Sequence, residues 1–227
     1  MAVQLDKVVP FGRLLDEYVQ MFSLTPEDLE KSILSVADGP AGFNAQGTRL
    51  GYQIKSVDPL YCFNSSEIKQ QFYLVVDNII SQVENSMEDW VWIFHKSPSD
   101  LRKNRETALQ YFCEDFDQGK LEGRYEIGEL PKLNYPDASY DLGLCSHFLF
   151  LYSEQCDRTF HLASIREMLR VCREVRIFPL LSLNLQTSPH LGFVMKNLTA
   201  LGYRCEIESV AYAFQRNGNK MLRITPQ

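Results

Sequence analysis

The chain has 227 residues, of which 45% are hydrophobic and 23% are charged, and its formal net charge at pH 7 is -6. This composition excludes a disordered, collagen-like or coiled-coil protein, and the length suits one domain of roughly 200–250 residues. The acidic balance argues against duplex nucleic acid or an anionic membrane as a partner, because both require a basic face. We therefore expect one globular domain over residues 1–227.

The N-terminus has neither the cationic start nor the apolar run of a signal peptide, and no apolar stretch approaches the roughly 18–20 residues of a membrane span. The six cysteines are scattered without a C-x-x-C pair. Reduced thiols of a cytoplasmic protein are therefore expected. The four histidines form no close pair, so we expect no dedicated metal site.

The first 60 residues predict N-terminal helices followed by a β-α-β unit. Apolar residues at helical spacing and a Thr-Pro-Glu-Asp helix start favour helices within residues 11–31. The apolar run 33–37, closed by a Gly-rich turn, is typical of a buried parallel strand. A helix over 43–50 and a second strand over 53–58 complete the unit.

Residues 61–125 carry no clear strand pattern and predict a helical insertion that acts as a lid. Helices are expected over 67–83 and 99–116, with Trp90 and Trp92 between them. Strands and helices then alternate again: strands over 124–128, 141–146, 174–178, 203–209 and 219–225, and helices over 158–171 and 190–201, with a turn at 217–218 joining the last two strands. The pattern predicts an α/β fold, a doubly wound, mostly parallel seven-stranded sheet with an antiparallel C-terminal edge.

Three predicted strands end in residues that suit a ligand, and such ends share one edge of an open sheet. Small residues around Gly39 let the backbone approach a ligand. Asp58 lies 19 residues after Gly39. This is close to the spacing of roughly 20 residues at which an acid that binds ribose is expected. At Glu129 a carboxylate can accept from an exocyclic amine, while a neighbouring backbone N–H donates to the ring. Three such ends in order predict one nucleotide-type site.

These segments resemble the class I S-adenosylmethionine-dependent methyltransferases. The stretch I-L-S-V-A-D-G-P-A-G-F, from Ile33, resembles their first motif, V-L-D-x-G-x-G-x-G, and S-V-D-P, from Ser56, resembles the end of their second strand. The stretch G-E-L-P-K-L-N-Y-P-D-A-S-Y-D, from Gly128, resembles their G-D-A-x-x-L-P-F-x-D-x-S-F-D. The resemblance covers roughly residues 30–60 and 125–225, and within the superfamily it is strongest to bacterial proteins known only as predicted methyltransferases.

The resemblance implies a Rossmann-like methyltransferase fold and methyl transfer from S-adenosylmethionine, with S-adenosylhomocysteine as product and a small molecule as acceptor. The implied cofactor contacts are Asp38, Gly39 and Pro40 for the methionine moiety, Asp58 with Pro59 and Leu60 for the ribose, Glu129 and Leu130 for adenine, and Cys145 and Ser146 at the border with the substrate.

His147 is the candidate general base, since its unperturbed pKa lies near 6.5. It stands in an apolar stretch, where a hydrogen-bonded packing histidine is the alternative. Aromatic residues can pack over the cofactor or belong to the hydrophobic core. Both interpretations stay open for five residues: Tyr18, Phe22, Trp90, Trp92 and Tyr152.

The first motif departs from the family pattern. Ser35 stands where the family has an acid, and Ala37 and Ala41 replace its first and third glycines. An alanine that must adopt a positive φ strains the loop, and Asp38 is the candidate substitute for the acid. A non-catalytic or weakly cofactor-binding protein on the same scaffold is therefore the alternative. A nucleic-acid modifier would need a basic groove beside the cofactor.

Overall fold

The computed structural model describes residues 4–5 and 8–227 and is built around one seven-stranded sheet. The strands are β1 (Ile33–Val36), β2 (Ile54–Val57), β3 (Tyr125–Glu126), β4 (Tyr140–Ser146), β5 (Cys172–Phe178), β6 (Tyr203–Ser209) and β7 (Lys220–Pro226). Their order is β3-β2-β1-β4-β5-β7-β6. The first five strands pair in parallel, and β7 pairs antiparallel with both β5 and β6.

Helices cover both faces of this sheet. They are α1 (Leu15–Met21), α2 (Pro26–Leu29), α3 (Phe43–Arg49), α4 (Ser65–Glu84), α5 (Pro98–Leu121), α6 (Arg158–Val171) and α7 (Leu191–Ala200). Two single 3₁₀ turns follow β2 and α4, at Pro59–Cys62 and Met87–Asp89. In the part of the chain described here, no helix combines the length and apolar character that a membrane crossing requires.

The predicted fold class is confirmed, with its parallel body and antiparallel C-terminal edge. The strand predicted over 124–128 is shorter, because its only neighbour, β2, ends at Val57 and offers no further backbone partners. The last two strands are joined by residues 210–219 rather than by a tight turn at 217–218. This longer connection carries Tyr212 into the core beneath α1.

Alternate residues of the central strands supply two separate cores. Leu34 and Val36 of β1 face α6 and α7, where Ile165 and Val194 are fully buried. Ile33 faces the opposite side, with buried residues of α1 and α3. Because successive strand residues point to opposite faces, a short apolar strand such as β1 is buried on both sides.

The predicted helical insertion forms a third core beside the sheet. Along α4, buried side chains recur every three or four residues, which is the spacing of one helix face. They pack against Phe112 and Phe116 of α5 and against Tyr61, which follows β2. The two predicted helices of this region are therefore confirmed, while its action as a lid stays a prediction.

The order of the strands places a crevice between β1 and β4. From β1 the chain proceeds to β2 on one side, and from β4 it proceeds to β5 on the other. Connections that diverge in this way leave room outside the carboxyl ends of the strands, which is where open α/β sheets bind ligands. The fold thus directs attention to the loops after β1, β2 and β4.

Candidate functional site

A cleft of about 430 Å³ opens at this switch point. Its walls come from the loops after β1, β2 and β4, from residues 8–13 ahead of α1, and from Gln71 of α4. The predicted site residues that line it are Asp38, Gly39, Asp58, Pro59, Leu60, Ser146 and His147. The structure therefore brings the ends of β1, β2 and β4 together around one space.

Four predicted site residues lie outside the walls of the cleft: Pro40, Glu129, Leu130 and Cys145. Cys145 is fully buried in the core beneath α6, because its side chain points to that face of the sheet. Leu130 is buried in the same core, and Pro40 is buried too. Glu129 is exposed beyond the end of β3, and its backbone forms an isolated antiparallel β-bridge with Lys132. Contacts of these four with a cofactor stay predictions.

The turn after β1 exposes backbone to the cleft. Gly39 has a φ of +57°, and a Cβ added to it would meet no atom within 4 Å, so open space lies over its backbone. Its carbonyl accepts a hydrogen bond from the Tyr61 hydroxyl at 2.8 Å. Ala37 has a φ of +55°, as expected for an alanine in place of the first glycine. The turn therefore carries backbone strain at Ala37, where a side chain occupies a left-handed conformation.

Asp58 is held rigidly at the end of β2. The backbone N–H of Gly39 donates to its Oδ2 at 2.9 Å, and that of Leu60 donates to its Oδ1 at 2.8 Å. Burial raises the pKa of Asp58 to about 6, the two backbone hydrogen bonds lower it, and the charge of Asp38 raises it. Each carboxylate oxygen has a second lone pair free for a further donor.

Asp38 is turned inward and supplies the carboxylate that Ser35 lacks. Its Oδ1 accepts from the hydroxyls of Tyr18 and Ser35, and its Oδ2 accepts from the Ser56 hydroxyl at 2.6 Å. Burial raises its pKa, which these three hydrogen bonds lower. That Asp38 takes the place of the acid implied by the sequence resemblance stays a prediction. The sequence pointed to this substitution but could not orient the side chain.

Ser146 and His147 form the cleft wall after β4. The Ser146 hydroxyl lies 2.9 Å from Nδ1 of His147, and the backbone N–H of His147 donates to the Phe178 carbonyl at 2.6 Å. Burial lowers the pKa of His147 well below its ordinary value, and the nearby Arg13 and Arg105 guanidiniums lower it further. The imidazole is therefore neutral at physiological pH.

No sequence pattern indicated that Arg13 or Gln71 would lie in the cleft. Both belong to segments outside the sheet, and only the tertiary fold carries them over the strand ends. Arg13 lies in an irregular segment, and Gln71 is a polar residue within a regular amphipathic helix. Neither position therefore stands out in the sequence.

The aromatic residues left open by the sequence divide between site and core. Tyr18 lines the cleft, hydrogen-bonds Asp38 and stacks on Phe43 with ring centroids 4.1 Å apart. Phe22 is fully buried in the core. Trp92 packs edge-on against Phe214 outside the cleft, whereas Trp90 and Tyr152 line a second, smaller cavity described below.

The chain is similar to one curated protein over nearly its whole length and, at low identity, to several solved structures. No family model matches the chain. The uncharacterized protein MJ0045 of Methanocaldococcus jannaschii is 33% identical over 223 residues, which are 98% of either chain. Among solved structures, magnesium protoporphyrin IX methyltransferase from Synechocystis PCC 6803 is 11% identical with a TM-score of 0.49, covering 94% of this chain and 78% of that chain. A putative S-adenosylmethionine-dependent methyltransferase from Methanococcus maripaludis is 10% identical with a TM-score of 0.46, covering 94% and 83%.

Proposed function

Because this chain belongs to the family of the uncharacterized protein MJ0045 and has the class I methyltransferase fold, we propose that it binds S-adenosylmethionine and catalyses methyl transfer to a small-molecule acceptor. The observation that carries this proposal is the convergence of Gly39, Asp58 and His147 on one cleft of about 430 Å³. A cleft of that size at the switch point of a parallel sheet suits a ligand as large as a nucleoside derivative.

The residues present fit the cofactor. Asp58 can accept from the two ribose hydroxyls with its free lone pairs, and its orientation is fixed in advance by two backbone donors. The exposed backbone at Gly39 offers room for the methionine moiety, whose ammonium group suits the Asp38 carboxylate. In this proposal Leu60 and Phe63 supply apolar walls for adenine, with Glu129 as an outlying candidate for its amine.

When bound, S-adenosylmethionine supplies a methyl group on a sulfonium sulfur, so the reactivity resides in the cofactor. The protein then has to orient the acceptor and exclude water. In the described part of the cleft wall Asp38 and Asp58 are the acidic residues and Arg13 the basic one, a balance that suits a cationic ligand. One arginine is too little for a nucleic-acid backbone, which favours a small acceptor.

We propose that His147 accepts a hydrogen bond from the nucleophilic group of the methyl acceptor and so holds that group in place. Its depressed pKa makes it a weak base at neutral pH, so an acceptor that is already ionised, or that loses its proton easily, fits this site better.

The proposal is tested by calorimetry of the purified protein with S-adenosylhomocysteine and with adenosine. We expect micromolar binding of S-adenosylhomocysteine at pH 7. Adenosine should bind about tenfold more weakly at pH 5 than at pH 7, because ribose binding requires ionised Asp58, whose pKa is about 6. Adenosine is used for the pH series because it lacks the amino-acid part that would face Asp38. No heat at millimolar S-adenosylhomocysteine would instead support the non-catalytic scaffold.

A further inference from the structure

A second cavity, of about 100 Å³, adjoins the cleft and shares with it a wall made by Val9, Phe11, Arg13 and His147. Its other walls are mostly apolar, with Ile79, Val83 and Trp90 from α4 and the segment after it. An apolar cavity of about 150 Å³ accommodates one benzene ring. The second cavity has about two thirds of that volume, so it takes a single ring only if the ring also occupies part of the adjoining cleft, with its reactive end past His147.

Beside this cavity, two buried hydrogen-bond donors find no acceptor in residues 4–5 and 8–227. Both are Nε atoms of guanidinium groups, one in Arg13 and one in Arg105, and both residues line the cavity. Only 1% of the surface of Arg105 is exposed. A buried N–H without an acceptor loses its hydration with nothing in return, so such atoms mark places where a ligand or ordered water belongs.

Among the described residues around the cavity, one cation has no carboxylate paired with it. Glu17 receives two hydrogen bonds from Arg105, at 2.8 and 2.6 Å, and is thereby committed to that guanidinium. Among the residues that the structure describes, Arg13 donates to the backbone carbonyl of Phe11 alone, and no carboxylate lies within salt-bridge distance of it. Burial, together with the charge of Arg105, lowers the pKa of Arg13 to about 10. An anionic ligand would restore the balance.

We propose that this second cavity binds the methyl acceptor, and that the acceptor is a single-ring monocarboxylate whose carboxylate pairs with Arg13 and faces the free Nε of Arg105. The inference rests on the proposed function for the identity of the ligand as acceptor, but the preference for an anion follows from the cavity alone. Arginine is suited to this role because its planar guanidinium binds carboxylates through two parallel donors.

The test compares three probes of nearly equal shape and different charge: benzoate, benzamide and benzamidine. Because Trp90 lines the cavity and the chain has 2 tryptophans, binding can be followed by its fluorescence in a Trp92→Phe background. With saturating S-adenosylhomocysteine, we expect benzoate to bind at least tenfold more tightly than benzamide, and benzamidine not at all. Equal binding of the three probes, or none by benzoate, would overturn the inference.

Arg13→Met should lower benzoate affinity at least tenfold while changing the affinity for S-adenosylhomocysteine by less than twofold. Arg13→Lys, which keeps the charge, should restore part of the benzoate binding. Arg204→Met is the matched control, because this arginine lies on the edge strand β6 with 65% of its side chain exposed. The charge series needs no substitution at Arg13, so it decides the matter even if Arg13→Met fails to fold.

The competing assignment gives Arg13 to the carboxylate of the cofactor's own methionine moiety. In that case Arg13→Met would strongly weaken the binding of S-adenosylhomocysteine. It would leave the binding of 5′-methylthioadenosine unaffected, because that nucleoside lacks the carboxylate, and the inference would be wrong. Failure of the proposed function looks different, because neither nucleoside would then bind the unsubstituted protein. In that event benzoate, benzamide and benzamidine can still be titrated into the ligand-free protein. Benzoate should still bind more tightly than the other two.

Discussion

Replacing Asp58 with Asn is expected to weaken binding of S-adenosylhomocysteine by about 100-fold. A hydrogen bond to a charged group contributes roughly 1.5–3 kcal/mol, and the proposal assigns two ribose hydroxyls to this carboxylate. Asn also presents an N–H₂ group to one of the backbone donors, from Gly39 or Leu60, that now satisfy the carboxylate oxygens. Calorimetry of the variant beside the unsubstituted protein measures the loss.

A pair of ligands separates the ribose contact from a general distortion of the turn. The unsubstituted protein should prefer adenosine to 2′,3′-dideoxyadenosine by a large factor, since only adenosine carries both hydroxyls. In Asp58→Asn this preference should nearly vanish, because both ligands then lack the contact. A variant that binds both ligands weakly but still prefers adenosine would show that Asp58 holds the loop and does not bind the ribose.

Glu129→Gln is the companion variant, because it removes the other acid that the sequence placed at a strand end. Glu129 is exposed and outside the cleft wall, so we expect less than a threefold change in affinity for S-adenosylhomocysteine. A loss comparable to that of Asp58→Asn would restore the adenine contact that the sequence motif implied. It would also mean that the loop after β3 moves inward when the nucleoside binds.

The features that the sequence predicted are those set by local chemistry. Apolar runs closed by glycine or acid define β1 and β2, and the helix over 158–171 begins at the Asp157 cap, which accepts from the Phe160 N–H. The site residues that follow such strands were predicted for the same reason, since parallel strands deliver their ends to one edge. Asp58 and Gly39 meet there across 19 residues of sequence.

What the sequence could not predict depends on packing between distant segments. The inward turn of Asp38 needs the Tyr18 hydroxyl from α1 and the Ser56 hydroxyl from β2, and neither partner can be identified from the first motif. The length of β3 depends on where its neighbour ends. Arg13 enters the cleft because Gly12 packs so closely on Pro40 that an added Cβ would lie 2.0 Å from the Pro40 carbonyl oxygen.

A buried ion pair beneath the second cavity leads to the largest expected effect on stability. Glu17 is fully buried within the apolar stripe of α1, where the sequence pattern showed only a helix. Burial by itself would raise its pKa, but the Arg105 guanidinium and hydrogen bonds from His95 and Arg105 hold that pKa far below its ordinary value. Glu17 is therefore ionised throughout the neutral range and compensates a guanidinium that water cannot reach.

Glu17→Gln should lower the free energy of unfolding by about 3–5 kcal/mol, because it leaves Arg105 buried without a counter-charge and Arg13 beside it. Urea denaturation followed by circular dichroism measures the change. Asp77→Asn is the matched control: it breaks an ion pair with Arg102 in which the aspartate side chain is 78% exposed, and such pairs contribute little.

The double variant Glu17→Gln/Arg105→Met decides whether the loss comes from the unpaired charge. If it does, removing the guanidinium as well should recover a large part of the lost stability, since replacing both members of a buried pair by uncharged groups is often close to neutral. If the double variant is instead less stable than Glu17→Gln, the two residues act mainly by filling space under residues 8–13. The pair would then support the wall shared by the two cavities through packing, and its charge would have no part in tuning Arg13.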